Sequence, residues 1–305
     1  MSASHRPPRC ADAAERRGDP LAGSAVPVAR WLLVEQPGPW GREALTQSRL
    51  DVDVAAHLGT VAREVGARVL LVRRHGRAGR HGHGRRHWAV ADSRPGSESL
   101  RWGRYDDERE LLDLDPATLV GPPAAAGPAE TVYLVCTHAR HDTCCAVRGR
   151  GVAAALDDVA PGRVWECSHV GGCRFAANVV VLPHGLYYGR VGPASAPALV
   201  EATDHGHVVA DLLRGRSSLS GAAQAAEHHA RRVLAGPDVT RLDAFRALRE
   251  RGLGGGRVEV RLLRTRTDQV VDVTVAREDT AAPTLLTCAA TRPAAPQGWR
   301  LAGLR

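Results

Sequence analysis

The spacing of apolar positions divides the chain into short strands and helices. Trp31-Leu-Leu-Val34 is an apolar run that stops at Pro37-Gly38-Pro39, as a buried strand running into a turn does. Residues 51–66 carry apolar side chains at helical spacing, behind an acidic start and ahead of a closing glycine, so a helix is expected there. Arg68–Val72 reads as a strand, and 87–91 with 100–105 as a further strand pair. Together these predict an N-terminal α/β unit over 21–118. Residues 1–20, polar and proline-bearing, read as a flexible tail.

Residues 121–129 hold three prolines and two glycines in nine positions, which suits no regular element; a linker is expected over 119–129. Beyond it come an apolar strand (131–136), a cysteine-rich loop, a helix (151–160), a strand (163–167), a Gly-Gly loop, a hairpin turning at Pro183-His184-Gly185, and a helix (195–214). That order over 130–217 is the order of a thioredoxin-like domain. In 218–305, helices are expected at about 221–234 and 241–251. Val258, Val260 and Leu262 then alternate with Arg257, Glu259 and Arg261, and Val271, Val273 and Val275 repeat the pattern, as half-exposed antiparallel strands do. The fold class predicted is α/β, with a thioredoxin-like domain between an α/β unit and a small α+β unit. No internal repeat of fixed period is visible.

Composition adds boundaries. With 44% hydrophobic and 24% charged residues in 305, a packed core is feasible and wholesale disorder is excluded. All 41 basic residues are arginine, and six of them, with four histidines and four glycines, fall between Arg73 and His87; most of the net charge of +8 therefore sits in one stretch, read as a solvated loop. It lacks interleaved aromatics apart from Trp88 at its edge, so nucleic acid is not expected as a partner. No apolar run approaches the roughly 18 residues of a membrane helix. The first residues show no apolar signal-peptide core, and a cytoplasmic location without membrane attachment is expected. Five of seven cysteines crowd into 136–173, a distribution that points to metal or catalysis rather than to a disulfide framework.

Those cysteines are spaced Cys136-x7-Cys144-Cys145-x21-Cys167-x-His169-x3-Cys173. Two ligand-bearing loops, each following a strand, would lie at the same end of a parallel pair and supply the four donors a metal centre needs, within about 2.0–2.3 Å of the metal. Gly171 and Gly172 would let backbone pass close to such a centre without a Cβ. Adjacent side chains in extended backbone point opposite ways, so Cys144 and Cys145 are not expected to ligate together. Cys144, Cys167, Gly171 and Gly172 stand as neighbours of the ligands or alternatives to them. Cys10 and Cys288 read as small buried hydrophobes, or in Cys10 as part of the tail. His138 and His141, inside the first loop, are expected to face solvent, with hydrogen bonding to the ligands as the alternative, and Arg148-Gly-Arg-Gly151 could bind an anion at a helix start.

Val135–Cys145, Trp165–Cys173 and Arg174–Asn178 together resemble the sucrase/ferredoxin-like family, with weaker similarity at Glu35–Gly41 and Arg214–Ser217. The resemblance runs over roughly residues 30 to 217. It implies a thioredoxin-like [2Fe–2S] ferredoxin domain, an electron carrier and a redox partner protein, either reductase or acceptor. Carried over by position, the cluster ligands would be Cys136, Cys145, His169 and Cys173. The family pattern His-x-Gly-Gly-His has cysteine here at its second ligand. A thiolate in place of a neutral imidazole remains a competent ligand and should lower the reduction potential. Zinc is the alternative cofactor, because three cysteines and a histidine are a good zinc set, although the nine-residue step from Cys136 to Cys145 does not fit the usual short Cys pair. Thiol–disulfide exchange would want Cys-x-x-Cys, which is absent. No carboxylate pair in a glycosidase setting stands out, so a carrier rather than a glycosidase is expected.

Overall fold

Alternate residues of the apolar strands face two different cores, and that alternation organises the molecule. The computed structural model describes residues 9–76, 85–121 and 130–305. In chain order the elements are α1 (Cys10–Arg17), β1 (Arg30–Glu35), α2 (Val52–Glu64), β2 (Ala67–Arg74), β3 (Arg86–Asp92), β4 (Ser99–Tyr105), α3 (Pro116–Val120), β5 (Val132–Cys136), α4 (Thr143–Val159), β6 (Val164–Cys167), β7 (Val179–Leu182), β8 (Leu186–Tyr188), α5 (Ala196–Asp204), β9 (Leu213–Arg216), α6 (Gly221–Val233), β10 (Phe245–Gly254), β11 (Arg257–Arg264), β12 (Gln269–Asp279) and β13 (Gln297–Leu304).

Nine strands form one sheet in the order β4-β3-β1-β2-β6-β5-β7-β8-β9. Within it β5 runs parallel to β6 and antiparallel to β7, with β7 and β8 forming the hairpin. This is the thioredoxin-like arrangement expected over 130–217. The first half repeats it: β1 is parallel to β2 and antiparallel to β3, and β3 and β4 form a hairpin. The repeat is one of topology, without the fixed period that a sequence scan would detect. The halves join through β2 and β6, where Val72, Arg73 and Arg74 face Cys167, Glu166 and Trp165. The two units expected as separate therefore share a sheet. Most of the expected linker, residues 122–129, lies outside the described residues.

One face of the sheet carries a continuous core through both halves, including Trp31, Leu33, Leu70, Leu134, Trp165 and Tyr187. On the other face, Leu32, Val34 and Leu71 pack under α2, while Tyr133, Val135 and Val181 pack under α4 and α5. In the C-terminal unit, Ala222, Ala223, Ala226 and Ala230 of α6 pack on Val260, Leu262, Val271, Val273 and Val275 of the sheet β10-β11-β12-β13. No helix among the described residues is long and apolar enough to cross a membrane.

Five local expectations are corrected. Residues 1–8 lie outside the described residues, but the rest of the expected tail holds α1. Its buried Cys10, Ala11 and Ala14 are small enough for close packing, and Arg148 pairs with Asp12 and Glu15 on it. Arg148 to Gly151 lie inside α4, not ahead of it, so they form no anion site at a helix start. The helix expected over 195–214 stops at Asp204, where Gly206 takes a left-handed φ of 72° and the chain turns toward β9. Where a helix is expected at 241–251, the chain turns at 241–244 and from Phe245 forms the edge strand β10, because a ladder with β11 overrides local propensity. The basic stretch is also only partly a loop: Arg73 and Arg74 end β2, Arg86 and His87 begin β3, and 77–84 lie outside the described residues.

At the junction of the halves, Glu166 is 3% exposed. It accepts from Arg73 at 2.7 and 2.9 Å and from Thr137 Oγ1 at 3.0 Å, and His75 Nδ1 lies 3.0 Å away. Burial opposes its ionisation, but Arg73, His75 and Thr137 outweigh that and hold the carboxyl below its ordinary range. Arg73→Met leaves a buried carboxylate short of its partner and is expected to cost about 3 kcal/mol, read as a lower denaturation midpoint. Because the folded carboxyl titrates lower than the unfolded one, its stabilisation is full above the ordinary value of 4.5 and is lost as pH falls through the folded value. Glu166→Gln should flatten that acid limb, as measured by denaturation at a series of pH values.

Candidate metal centre

Parallel pairing of β5 and β6 sets Cys136 opposite Cys167, so both chains leave the sheet at the same end. The Cys136 amide donates to Asn178 O at 3.0 Å and the Thr137 amide to Cys167 O at 3.2 Å, pinning the first loop where it departs. That loop ends at Asp142, whose carboxylate caps α4 by accepting from the Cys144 amide at 2.9 Å. The helix starts at Thr143, eight residues before the start expected at 151, so Cys144 and Cys145 lie in its first turn rather than in extended backbone. They still diverge, because successive helical residues are rotated by about 100°.

The second loop is held by the sheet and by a buried arginine. Arg68 donates to His169 O at 2.6 Å, and Ser168 exchanges hydrogen bonds with Leu71 at 2.8 and 3.1 Å. Arg214, 1% exposed, donates to Gly171 O at 3.0 Å and to Asn178 Oδ1 at 2.8 Å, while Asn178 Nδ2 donates to Gly172 O at 3.0 Å. Gly171 and Gly172 have φ of 96° and 74°. A Cβ at Gly172 would collide with the Arg214 guanidinium, and one at Gly171 with Val26. The glycines are thus required by the left-handed backbone and by these two side chains, not by clearance around the centre as the sequence suggested.

The two loops bring the four expected ligands together. Donor atoms of Cys136, Cys145 and His169 lie within 4.8 Å of one another, as do those of Cys145, Cys173 and Asp142. Cys173 Sγ is 3.6 Å from His169 Nδ1. Cys136, Cys145 and Cys173 are 0%, 1% and 2% exposed, and His169 is half-buried. Hydrogen bonding from Cys145 and the nearby His169 hold the Cys136 thiol well below its ordinary range, against the effect of burial; Cys173 is lowered for the same reasons. Burial works against protonation of His169, but the Cys136 and Cys173 sulfurs beside it push it up to about 9. Two sulfurs whose thiols are shifted toward ionisation, beside a histidine, form a soft donor set suited to iron or zinc.

Other expected neighbours are placed differently. Cys167 is fully buried, its thiol pushed well up by burial, and its sulfur joins no donor group among the described residues. Cys144 points away from the four ligands, toward Cys10 and Cys288. His138, expected in solvent, is 2% exposed; its Nδ1 accepts from the His169 amide at 3.2 Å, so Nε2 carries the proton and donates to Gly41 O at 2.6 Å. His141 is half-buried and stacks on His169 with ring centroids 3.6 Å apart. Sequence reasoning passed over Asp142 as a cap, although an Asp two residues before a Cys pair at a helix start carries that signal.

The sucrase/ferredoxin-like family profile matches residues 21–215, more than half of the chain. The chain belongs to the sucrase/ferredoxin-like family. The match takes in both sheet repeats and leaves α1, α6 and the C-terminal sheet outside it. None of the curated proteins compared with this sucrase/ferredoxin-like chain matches it. Among solved structures, a cysteine-to-serine variant of the thioredoxin-like [2Fe–2S] ferredoxin from Aquifex aeolicus is 21% identical, covering 28% of this chain and 97% of its own with a TM-score of 0.25. Another structure of a thioredoxin-like [2Fe–2S] ferredoxin from that organism is 23% identical, covering 27% of this chain and 88% of its own with a TM-score of 0.24. Likeness of that extent carries no weight for the site.

Gly162 and Gly172 both have left-handed backbone, but a Cβ at Gly162 meets nothing within 4 Å. Gly162→Ala should therefore lose only the backbone cost of about 1–2 kcal/mol. Gly172→Ala should lose more and retain less metal, because it also displaces Arg214; denaturation and metal analysis of the two variants check this.

Proposed function

We propose that the protein is an electron carrier that binds a [2Fe–2S] cluster through Cys136, Cys145, His169 and Cys173. The observation that carries this reading is the convergence of three buried sulfurs and one imidazole from loops after two parallel strands, in a chain of the sucrase/ferredoxin-like family. When bound, such a cluster supplies one-electron chemistry. The protein's own part is to keep the sulfurs dry, to orient His169 through the His138 and Arg68 contacts on its backbone, and to fix Cys145 through the cap on α4. His141 and His169 border a cleft of about 190 Å³ that also meets Arg42, Glu43 and Arg68. A reductase or acceptor protein would dock on this side, where the site reaches solvent.

The same donors, which fall into overlapping groups each within 4.8 Å (Cys136, Cys145 and His169; Cys145, Cys173 and Asp142), also suit a single zinc ion holding a non-redox module. Anaerobically purified protein should be reddish-brown with about two irons per chain, and Cys136→Ser should strip that colour. A colourless protein carrying zinc in place of iron would overturn the electron-carrier reading. Cys173→His should keep the colour and raise the reduction potential by on the order of 100 mV, since it removes one negative charge next to the iron; a protein-film or dye-linked titration reads the shift.

A further inference from the structure

Three cysteines that the proposed cluster leaves unused meet a short way from it. Cys10 opens α1, Cys144 is the second residue of α4, and Cys288 lies in the irregular stretch between β12 and β13. Their sulfurs form a triangle with sides of 3.5 Å (Cys10 to Cys144), 3.3 Å (Cys144 to Cys288) and 3.5 Å (Cys10 to Cys288). Asp142 closes the group: its carboxylate oxygens are 3.6 and 3.8 Å from Cys10 Sγ, and its side chain is held in place by the Cys144 and Cys288 amides, each at 2.9 Å. One donor atom from each of the four lies within 4.8 Å of the others.

We propose that Cys10, Cys144, Cys288 and Asp142 form a second metal site that takes one four-coordinate soft divalent ion, zinc. Sulfurs bound tetrahedrally at about 2.3 Å from zinc are about 3.8 Å apart, so the triangle needs to open by only a few tenths of an ångström. A disulfide, with sulfurs about 2.05 Å apart, would use two of the three and leave the third unexplained. Each ligating thiol gives its proton to solvent and gains a zinc–sulfur bond, so no oxidant or reductant is required. Three donors are buried and Cys288 is exposed, which gives the ion a route in. The Cys10 and Cys288 sulfurs come from segments 134 and 144 residues away from Cys144. A bound ion would tie α1 and the stretch before β13 to the first turn of α4, the turn that also places Cys145. The site is a clasp on the scaffold and shares none of the four proposed cluster ligands.

The proposal does not depend on what the first centre holds. Full-length protein, expressed with zinc and purified without chelator, should carry one zinc per chain in this site. Cys288→Ser should lose that zinc and keep the visible spectrum and iron content, whereas Cys136→Ser should do the reverse. Loss of one metal equivalent in Cys288→Ser supports the proposal even if the first site proves to hold zinc. Unchanged metal content in a folded Cys288→Ser, or a disulfide among the three found by thiol counting in unreduced, denatured protein, overturns it. Zinc-edge X-ray absorption on the Cys136→Ser protein guards against misfolding of Cys288→Ser: about three sulfurs at 2.3 Å and one oxygen at 2.0–2.2 Å are expected, and a shell dominated by nitrogen and oxygen overturns the assignment.

Discussion

The parallel pairing of β5 and β6 is the constraint on which the rest depends. Parallel strands need a crossover, and here the crossover is α4, which packs Val152, Ala153 and Leu156 under the sheet. Because the strands run the same way, the loops that leave them open at one end, and Cys136 and Cys145 meet His169 and Cys173 there. An antiparallel pair would send those loops to opposite ends of the sheet. The hydrogen bonds of Asn178, Arg68 and Arg214 then fix the loop backbone, so the donor atoms are placed by side chains packed against the sheet rather than by the loops' own preferences.

The sheet that supports this pair has nine strands, of which the second repeat alone supplies five. In the first repeat, β1 and β2 form the corresponding parallel pair, and no cysteine follows either strand; Glu35 and Gln36 occupy the place where Cys136 and Thr137 stand in the second. Its contribution is structural: it covers the β6 edge, which would otherwise expose backbone beside the site, and it buries the Glu166 cluster of Arg73, His75 and Thr137 at the seam.

The first turn of α4 gathers much of the chemistry of the molecule. Asp142 caps it, Cys145 faces the proposed cluster ligands, and Cys144 faces Cys10 and Cys288. A rotation of about 100° between neighbours sends adjacent cysteines into two separate groups. The sequence-based reading also kept them apart, but for the wrong reason, assuming extended backbone in which neighbours differ by half a turn.

Short-range regularities were legible without the structure. Period-two runs such as Arg257–Leu262, the apolar strands at 31–34 and 131–136, and the Pro183-His184-Gly185 turn marked their elements, because each is dictated by burial and turn chemistry within a few residues. The two cysteine motifs likewise located the four candidate ligands through resemblance. Only tertiary structure decided that β10 is a strand, that Cys10–Arg17 is a docked helix, that the halves share one sheet, and that Cys10, Cys144 and Cys288 meet. The strand β10 depends on its hairpin partner β11, whose pairing outweighs helical spacing, and the other three depend on partners far away along the chain. A lone cysteine near either end looks like any small apolar residue until the fold sets other sulfurs beside it.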